Sequence, residues 1–494
     1  MANSVNYAGD FFIEKAEIIT SSGQIINVAT NIVEINFYED IFSSSITGDL
    51  VLIDTLNLIT NGPIIGQEQL QLRVTTPGFK DNDSKINFVD EVLMIHKVGL
   101  RAPVSNNAQM YKLSFISKEA LTNERITVSK SFEGTYADLV VNMLSTELKS
   151  TKNVFVERTL NSKRLIIPNI HPFDVIRRAS TQSVSETNFS PTFVFYETRS
   201  GYHFRTLESL MQKKVINEYY YGKPNISSDK SAPSAYAGFS GITSAQVEST
   251  ASHINEGKIA KDYKRIRQYN IASNSDLLLN TRSGMLSSHL IVHDSYNKEI
   301  NTYDFNYFDT FHNAKHIGYF DGGKANPLYS ESHADEDENR VTDFPHARTH
   351  FVSSAIKDTT TGTSASHEIN GNFSFASSKM EEWYLQRQSR FMQISSGLSL
   401  SCEIAGITSM EVGDTIDIRL PIMGAKTKHK DSYDSVYKGK FLIKSLRHLF
   451  DIGNKIHTTF IVVVKDSSNE EFSAEGIPPT NEKKDGILYE IGTT

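Results

Sequence analysis

An ordered self-similarity runs through this chain of 494 residues and limits its architecture more than any single motif does. It has three parts, and they return in the same order. In the first, Asp40 is followed by Gly48 and then by Leu50, Leu52 and Asp54; downstream, Asp276 is followed at the same spacing by Gly284 and then by Leu286, Leu290, Val292 and Asp294. Both read as a loop running into an alternating strand. In the second, the run from Gln69 to Val74 matches the run from Thr415 to Leu420, each shortly after a glycine, Gly66 and Gly413. A period of two puts Leu70 and Leu72, or Ile416 and Ile418, on one buried face. In the third, strands at 92–98 and 110–116 recur as strands at 441–449 and 456–464, the later pair turning at Asp451, Gly453 and Asn454. A turn cluster between two alternating runs is a hairpin signal. Two similar antiparallel β-barrels in one chain are therefore expected.

Other patterns lie between the repeats. Residues 135–149 read as a helix: Thr135 is an N-cap, Asp138 stands at the capping-box position, and Leu139, Val140, Met143, Leu144 and Leu148 form one apolar stripe. A second helix begins at Pro172, where a missing N–H costs nothing. An aromatic hairpin follows, 192–197 and 202–206, turning at Arg199, Ser200 and Gly201. A third helix covers about 378–394. The expected fold class is mainly β with α+β inserts. The expected division is a first tube-like barrel at 1–120, an α+β insert at 121–222, a Ser/Ala/Gly-rich linker at 223–257, a second barrel from 258–300 and 385–468, an insert of unassigned fold at 301–384, and a tail at 469–494.

Composition excludes several functions. A net charge of −8 and a pI near 6.0 leave no basic excess to neutralise a phosphate backbone, so specific nucleic-acid binding is not expected. One cysteine, Cys402, allows neither an intrachain disulfide nor a multi-thiolate metal site, and its alternating surroundings read as a buried strand. The N-terminus lacks the pattern of a secretory signal, and no stretch approaches a membrane span, so no stable membrane binding is expected. His333, Asp335, Glu336, Asp337 and Glu338, with His346 and His350, form the best metal candidate. Four-residue spacing would put the last two on one helical face, but no acid follows the first, and a solvated loop is the ordinary reading of an acidic run. No nucleophile elbow, phosphate loop or complete zinc-peptidase motif occurs. No catalytic, metal or cofactor residue is expected, and the chain reads as a non-enzyme.

Three passages together resemble the baseplate hub protein of contractile-tailed phages and the related hub half of type VI secretion spike proteins. The first is Tyr111 to Glu119 continuing through Ser129 to Phe132 into the 135 helix. The second is Pro172 to Ala179, leading to Phe193 to Glu197 and Gly201 to Phe204. The third is Val412 to Ile416, then Lys438 to Ile443, Arg447 to Phe450 and Thr458 to Asp466. The resemblance implies a homotrimer in which two barrels per chain build a pseudo-sixfold ring, a symmetry adaptor between a sixfold tail tube and a threefold spike. It also implies tail spike, tail tube and other baseplate proteins as partners, assembly in the host cytoplasm, and residence in the virion as part of a contractile injection system.

Candidate interface residues are Trp383, Tyr384 and Arg387 on the 378–394 helix, and Ile487, Leu488, Tyr489 and Ile491 in the tail, expected to grip a spike by strand addition. Two other functions stay open at this stage. One is a tail-associated cell-wall hydrolase with its catalytic unit at 301–384; the other is a secretion-system spike hub.

Overall fold

A computed structural model describes residues 7–468 apart from 63, 78–84, 161, 222–258, 274–275, 295–297, 319–324, 332–338, 354–379, 423–432 and 435. The chain opens with β1 (Phe12–Ile19), β2 (Ile25–Asn27), β3 (Ile32–Asp40), β4 (Thr47–Asp54), β5 (Gln69–Thr75), β6 (Lys85–Ser105) and β7 (Ala108–Ser117). Six of these follow the antiparallel order β1-β5-β6-β7-β4-β3. Alternation decides the inner face: Leu50, Leu52, Leu70, Leu72, Tyr111, Leu113 and Phe115 are all buried in one core. β2 pairs antiparallel with the other edge of β1, and the Val28 N–H just after β2 extends that ladder by donating to the Ala16 carbonyl, 3.0 Å away.

An α+β insert follows. It holds β8 (Val128–Gly134), β9 (Val154–Val156), β10 (Lys163–Ile170), β11 (Phe193–Thr198) and β12 (Gly201–Thr206) with helices at Lys118–Asn123, Tyr136–Asn142, Pro172–Gln182 and Leu207–Met211. The Thr135–Asp138 capping box forms as the sequence predicts, and the helix then widens into a π turn at Met143–Glu147. The β11–β12 hairpin turns on Arg199 and Ser200, with Thr198 opposite Gly201. Gly201, at φ 138°, is required because a Cβ there would stand 2.2 Å from the Asn153 carbonyl oxygen.

The remaining strands are β13 (Val215–Tyr221), β14 (Arg265–Ser273), β15 (Ser287–Asp294), β16 (Glu299–Asn306), β17 (Asn326–Pro327), β18 (Thr349–Ser353), β19 (Leu398–Ala405), β20 (Thr415–Arg419), β21 (Gly439–Asp451), β22 (Ile456–Lys465) and β23 (Ser467–Ser468). Six of them close a second barrel in the cyclic order β13-β20-β21-β22-β19-β14. Strand for strand this is the order of the first barrel, with β13 for β1, β14 for β3, β19 for β4, and β20, β21 and β22 for β5, β6 and β7. The long strand of each hairpin also bulges at one equivalent residue, His96 between Ile95 and Lys97, and Lys444 between Ile443 and Ser445.

The structure corrects three details of the repeat. The stretch 287–294 is not in the second barrel: as β15 it pairs with β16 and β18 in a separate sheet, and β19 takes the place of β4. The segment from Asp276 to Gly284 is no loop but a helix, Leu277–Ser283, because Asp276 accepts from the Leu279 N–H at 2.8 Å and Gly284 ends it at φ 76°. The second barrel also begins earlier than expected, with β13 at 215–221. β13 runs parallel to its neighbour β20, whereas β1 is antiparallel to β5.

Candidate functional site

The two barrels meet along one seam, β3 against the second half of β21. Seven antiparallel pairs run from Asp40 opposite Ser445 to Glu34 opposite Asp451. β21 serves both roles because of its bulge: before Lys444 it pairs with β20, and after it the same edge is taken by β3. Arg447 ties the seam from outside, its Nε 2.8 Å from Asn36 Oδ1 and its guanidinium over Tyr38 and Phe460. A cleft of about 270 Å³ opens over the same place, between Tyr38, Asp40, Thr47, Arg447 and Phe460.

The β11–β12 hairpin contacts both barrels beside this seam. Glu197 accepts from the Ile46 N–H of the first barrel at 2.9 Å and from Ser117 Oγ at 2.5 Å. Lys152 reaches Glu197 at 2.6 Å and Glu119 at 2.7 Å, all three side chains being buried. On the other flank Arg199 lies 3.0 Å from Glu411, which leads into β20, while the Arg199 and Val412 N–H groups both donate to Glu39 on β3. Burial, then the neighbouring Glu411 charge, pushes the Glu39 carboxyl up to about 8.

A third buried cluster fixes the second insert. Arg390, on the Met380–Ser396 helix, meets Glu208 at 3.0 Å and Asp466 at 2.7 Å, and His316 Nδ1 lies 2.8 Å from Asp466. Burial alone would raise the Asp466 carboxyl, but Arg390 and His316 outweigh it and hold the group far below the ordinary carboxylate range. The sequence marked Arg390 only as a helical cation. Its partners lie 182 and 76 residues away, a separation that no local pattern encodes.

Of the expected interface residues, Trp383 is half-buried, Tyr384 is partly exposed with its ring against His350, and Arg387 stacks over Phe391 at 4.4 Å. Ile487, Leu488, Tyr489 and Ile491 lie outside the described residues, as do His333 to Glu338. His346 and His350 do not share a helical face: His346 sits in a single turn and packs its ring on His289, and His350 belongs to β18. Among the described residues no group of three or more His, Cys, Asp or Glu is placed to hold a metal ion. Cys402 is buried on β19, and burial pushes its thiol up to about 12.

No protein-family model and no curated protein matches the sequence. Solved structures similar to this chain include a tail protein from Neisseria meningitidis MC58, with 8 % identity and a TM-score of 0.48 over 92 % of this chain and 97 % of that one. The 43 kDa tail protein of prophage MuSo2 from Shewanella oneidensis has 10 % identity and a TM-score of 0.47 over 92 % and 98 %. The c3393 protein of E. coli, a component of the type VI secretion system, has 8 % identity and a TM-score of 0.39 over 95 % and 80 %. The chain is thus similar to two tail proteins, one of them from a prophage, and to a component of the type VI secretion system.

Proposed function

We propose that this chain is a structural subunit of a phage tail baseplate, and that three copies form a hub ring joining a tail tube to a central spike. One observation carries the reading: two barrels with the same strand order, fused side by side through β3–β21, give each chain two similar wall units. Three such chains supply six units, which is what an adaptor between sixfold and threefold partners needs. In this reading the buried ion clusters are scaffolding that sets the barrels at a fixed angle. The tube, the spike and other baseplate proteins are its partners in the virion, and it needs neither cofactor nor catalysis.

Light scattering on the purified full chain tests the ring: the expected mass is three times the 55.4 kDa chain, and electron microscopy should show a ring with an open centre. A species that stays monomeric at micromolar concentration contradicts the reading. Zymography on peptidoglycan separates it from a cell-wall hydrolase, since a scaffold leaves no clearing.

A further inference from the structure

The seam is made once within the chain, yet the doubled architecture offers its two halves twice. β14 corresponds to β3, and the second half of β6 corresponds to the second half of β21. Among the described residues no strand lies against β6 from Lys97 to Ser105 on the side away from β7, nor against β14 at 270–272 on the side away from β19. We infer that these two edges meet between copies: β14 of one subunit pairs antiparallel with the second half of β6 of the next, repeating the β3–β21 seam from chain to chain. The inference rests on the ring reading and adds to it the surfaces and the register.

The register follows from the internal seam. Counted along β7 and β22, Gly99 holds the place of Arg447 and Ala102 that of Leu449. Counted along β4 and β19, Ser273 holds the place of Tyr38 and Asn270 that of Asn36. Since Tyr38 pairs with Arg447 and Asn36 with Leu449, Ser273 should face Gly99 and Asn270 should face Ala102 across the subunit boundary.

The spacing between those pairs is the strongest support. At the internal seam one residue separates them on each strand, Phe37 on β3 and His448 on β21. At the free edges two residues do so on each strand: Leu100 and Arg101 on β6, Ile271 and Ala272 on β14. Both strands bulge at this step, β6 between Gly99 and Ala102 with Leu100 at φ 49°, β14 between Ile271 and Ser273. A bulge on one edge alone would throw the following pairs out of register, so matching bulges on two strands that do not touch within the chain are accounted for if the strands pair with each other.

The surfaces agree. Leu100 is 76 % and Val104 54 % exposed on one edge; Ile271 is 41 % exposed on the other, and Leu278 just beyond it 78 %. Exposed apolar edges of this kind template association unless something covers them.

A full-length chain carrying Ala102→Cys and Asn270→Cys, treated with a short bis-maleimide, tests the inference, because facing residues bring their Cβ atoms to about 4.5–5.5 Å. Both positions are exposed, and the buried native Cys402 stays unreactive in the folded chain. The expected result is a denaturing-gel ladder of covalent dimer and trimer that stops at the trimer, absent from either single variant. A trimer by light scattering that yields no ladder overturns the inference and leaves the ring reading standing. A monomer by light scattering overturns both.

Discussion

Three separate segments converge on Arg390, through Glu208, the Lys315 carbonyl and Asp466, and its loss strips a cation from two buried acids at once. Arg390→Met would leave buried Glu208 without its cation and buried Asp466 with His316 alone, a change expected to cost about 3–5 kcal/mol. Thermal or urea unfolding of the full chain reads it directly. The sign with pH is also fixed. Asp466 is held far below its unfolded value, so its contribution is complete above about pH 4 and is lost as pH falls into the acid range. The Arg390→Met variant should show a flatter loss of stability on acidification. Glu39 behaves in the opposite sense. Its folded carboxyl keeps a proton from the ordinary value of 4.5 up to about 8, so the folded state binds the extra proton and stability falls as pH rises through that window. The slope is about 1.4 kcal/mol per pH unit for one proton, and Glu39→Gln should remove it. Equal slopes in the parent chain and the Glu39→Gln variant would show that the carboxyl is ionised in the folded state.

The elements differ in how plainly the sequence announces them. β5 and β20, and the hairpins β6–β7 and β21–β22, are legible because strict alternation, a preceding glycine and a polar turn coincide at each copy. β19 escapes the repeat because period two marks a strand and not the sheet it joins: 287–294 alternates as well as 398–405 does, and only long-range pairing places the second in the barrel wall. The ion clusters were illegible for the same reason, since Glu208, Arg390 and Asp466 meet only in three dimensions. The two turn glycines that flag the repeat give a paired test. Gly66 and Gly413 both adopt positive φ, 95° and 79°, so an alanine at either should cost about 1–2 kcal/mol in backbone strain. A Cβ at Gly66 has the His96 carbonyl oxygen as its nearest neighbour, at an ordinary 3.4 Å, whereas at Gly413 it falls 2.4 Å from Tyr196 Oη. Gly413→Ala should therefore melt lower than Gly66→Ala, by a further overpacking cost of about 1–3 kcal/mol. Equal melting points would mean that Tyr196 moves aside freely.

At the scale of the whole molecule the two barrels are alike in wall and unlike in what hangs from it. The step from β3 to β4 takes six residues, 41–46, while the equivalent step from β14 to β19 carries the whole β15–β18 insert and the Met380–Ser396 helix. That insert is not loosely tethered, because Arg390 and His316 meet Asp466, and β17 pairs with β23 directly beyond the second barrel. In a ring of three chains the wall should therefore look nearly sixfold while the inserts project from alternate barrels only. Electron-microscopy reconstructions of the assembled ring distinguish the two components. Imposing sixfold symmetry should preserve density for the barrel strands and weaken the inserts to about half, as expected when three objects are averaged over six positions. Threefold averaging should restore three full projections. Six equal projections, or a wall that also degrades under sixfold averaging, would show that the two barrels do not occupy equivalent places in the ring.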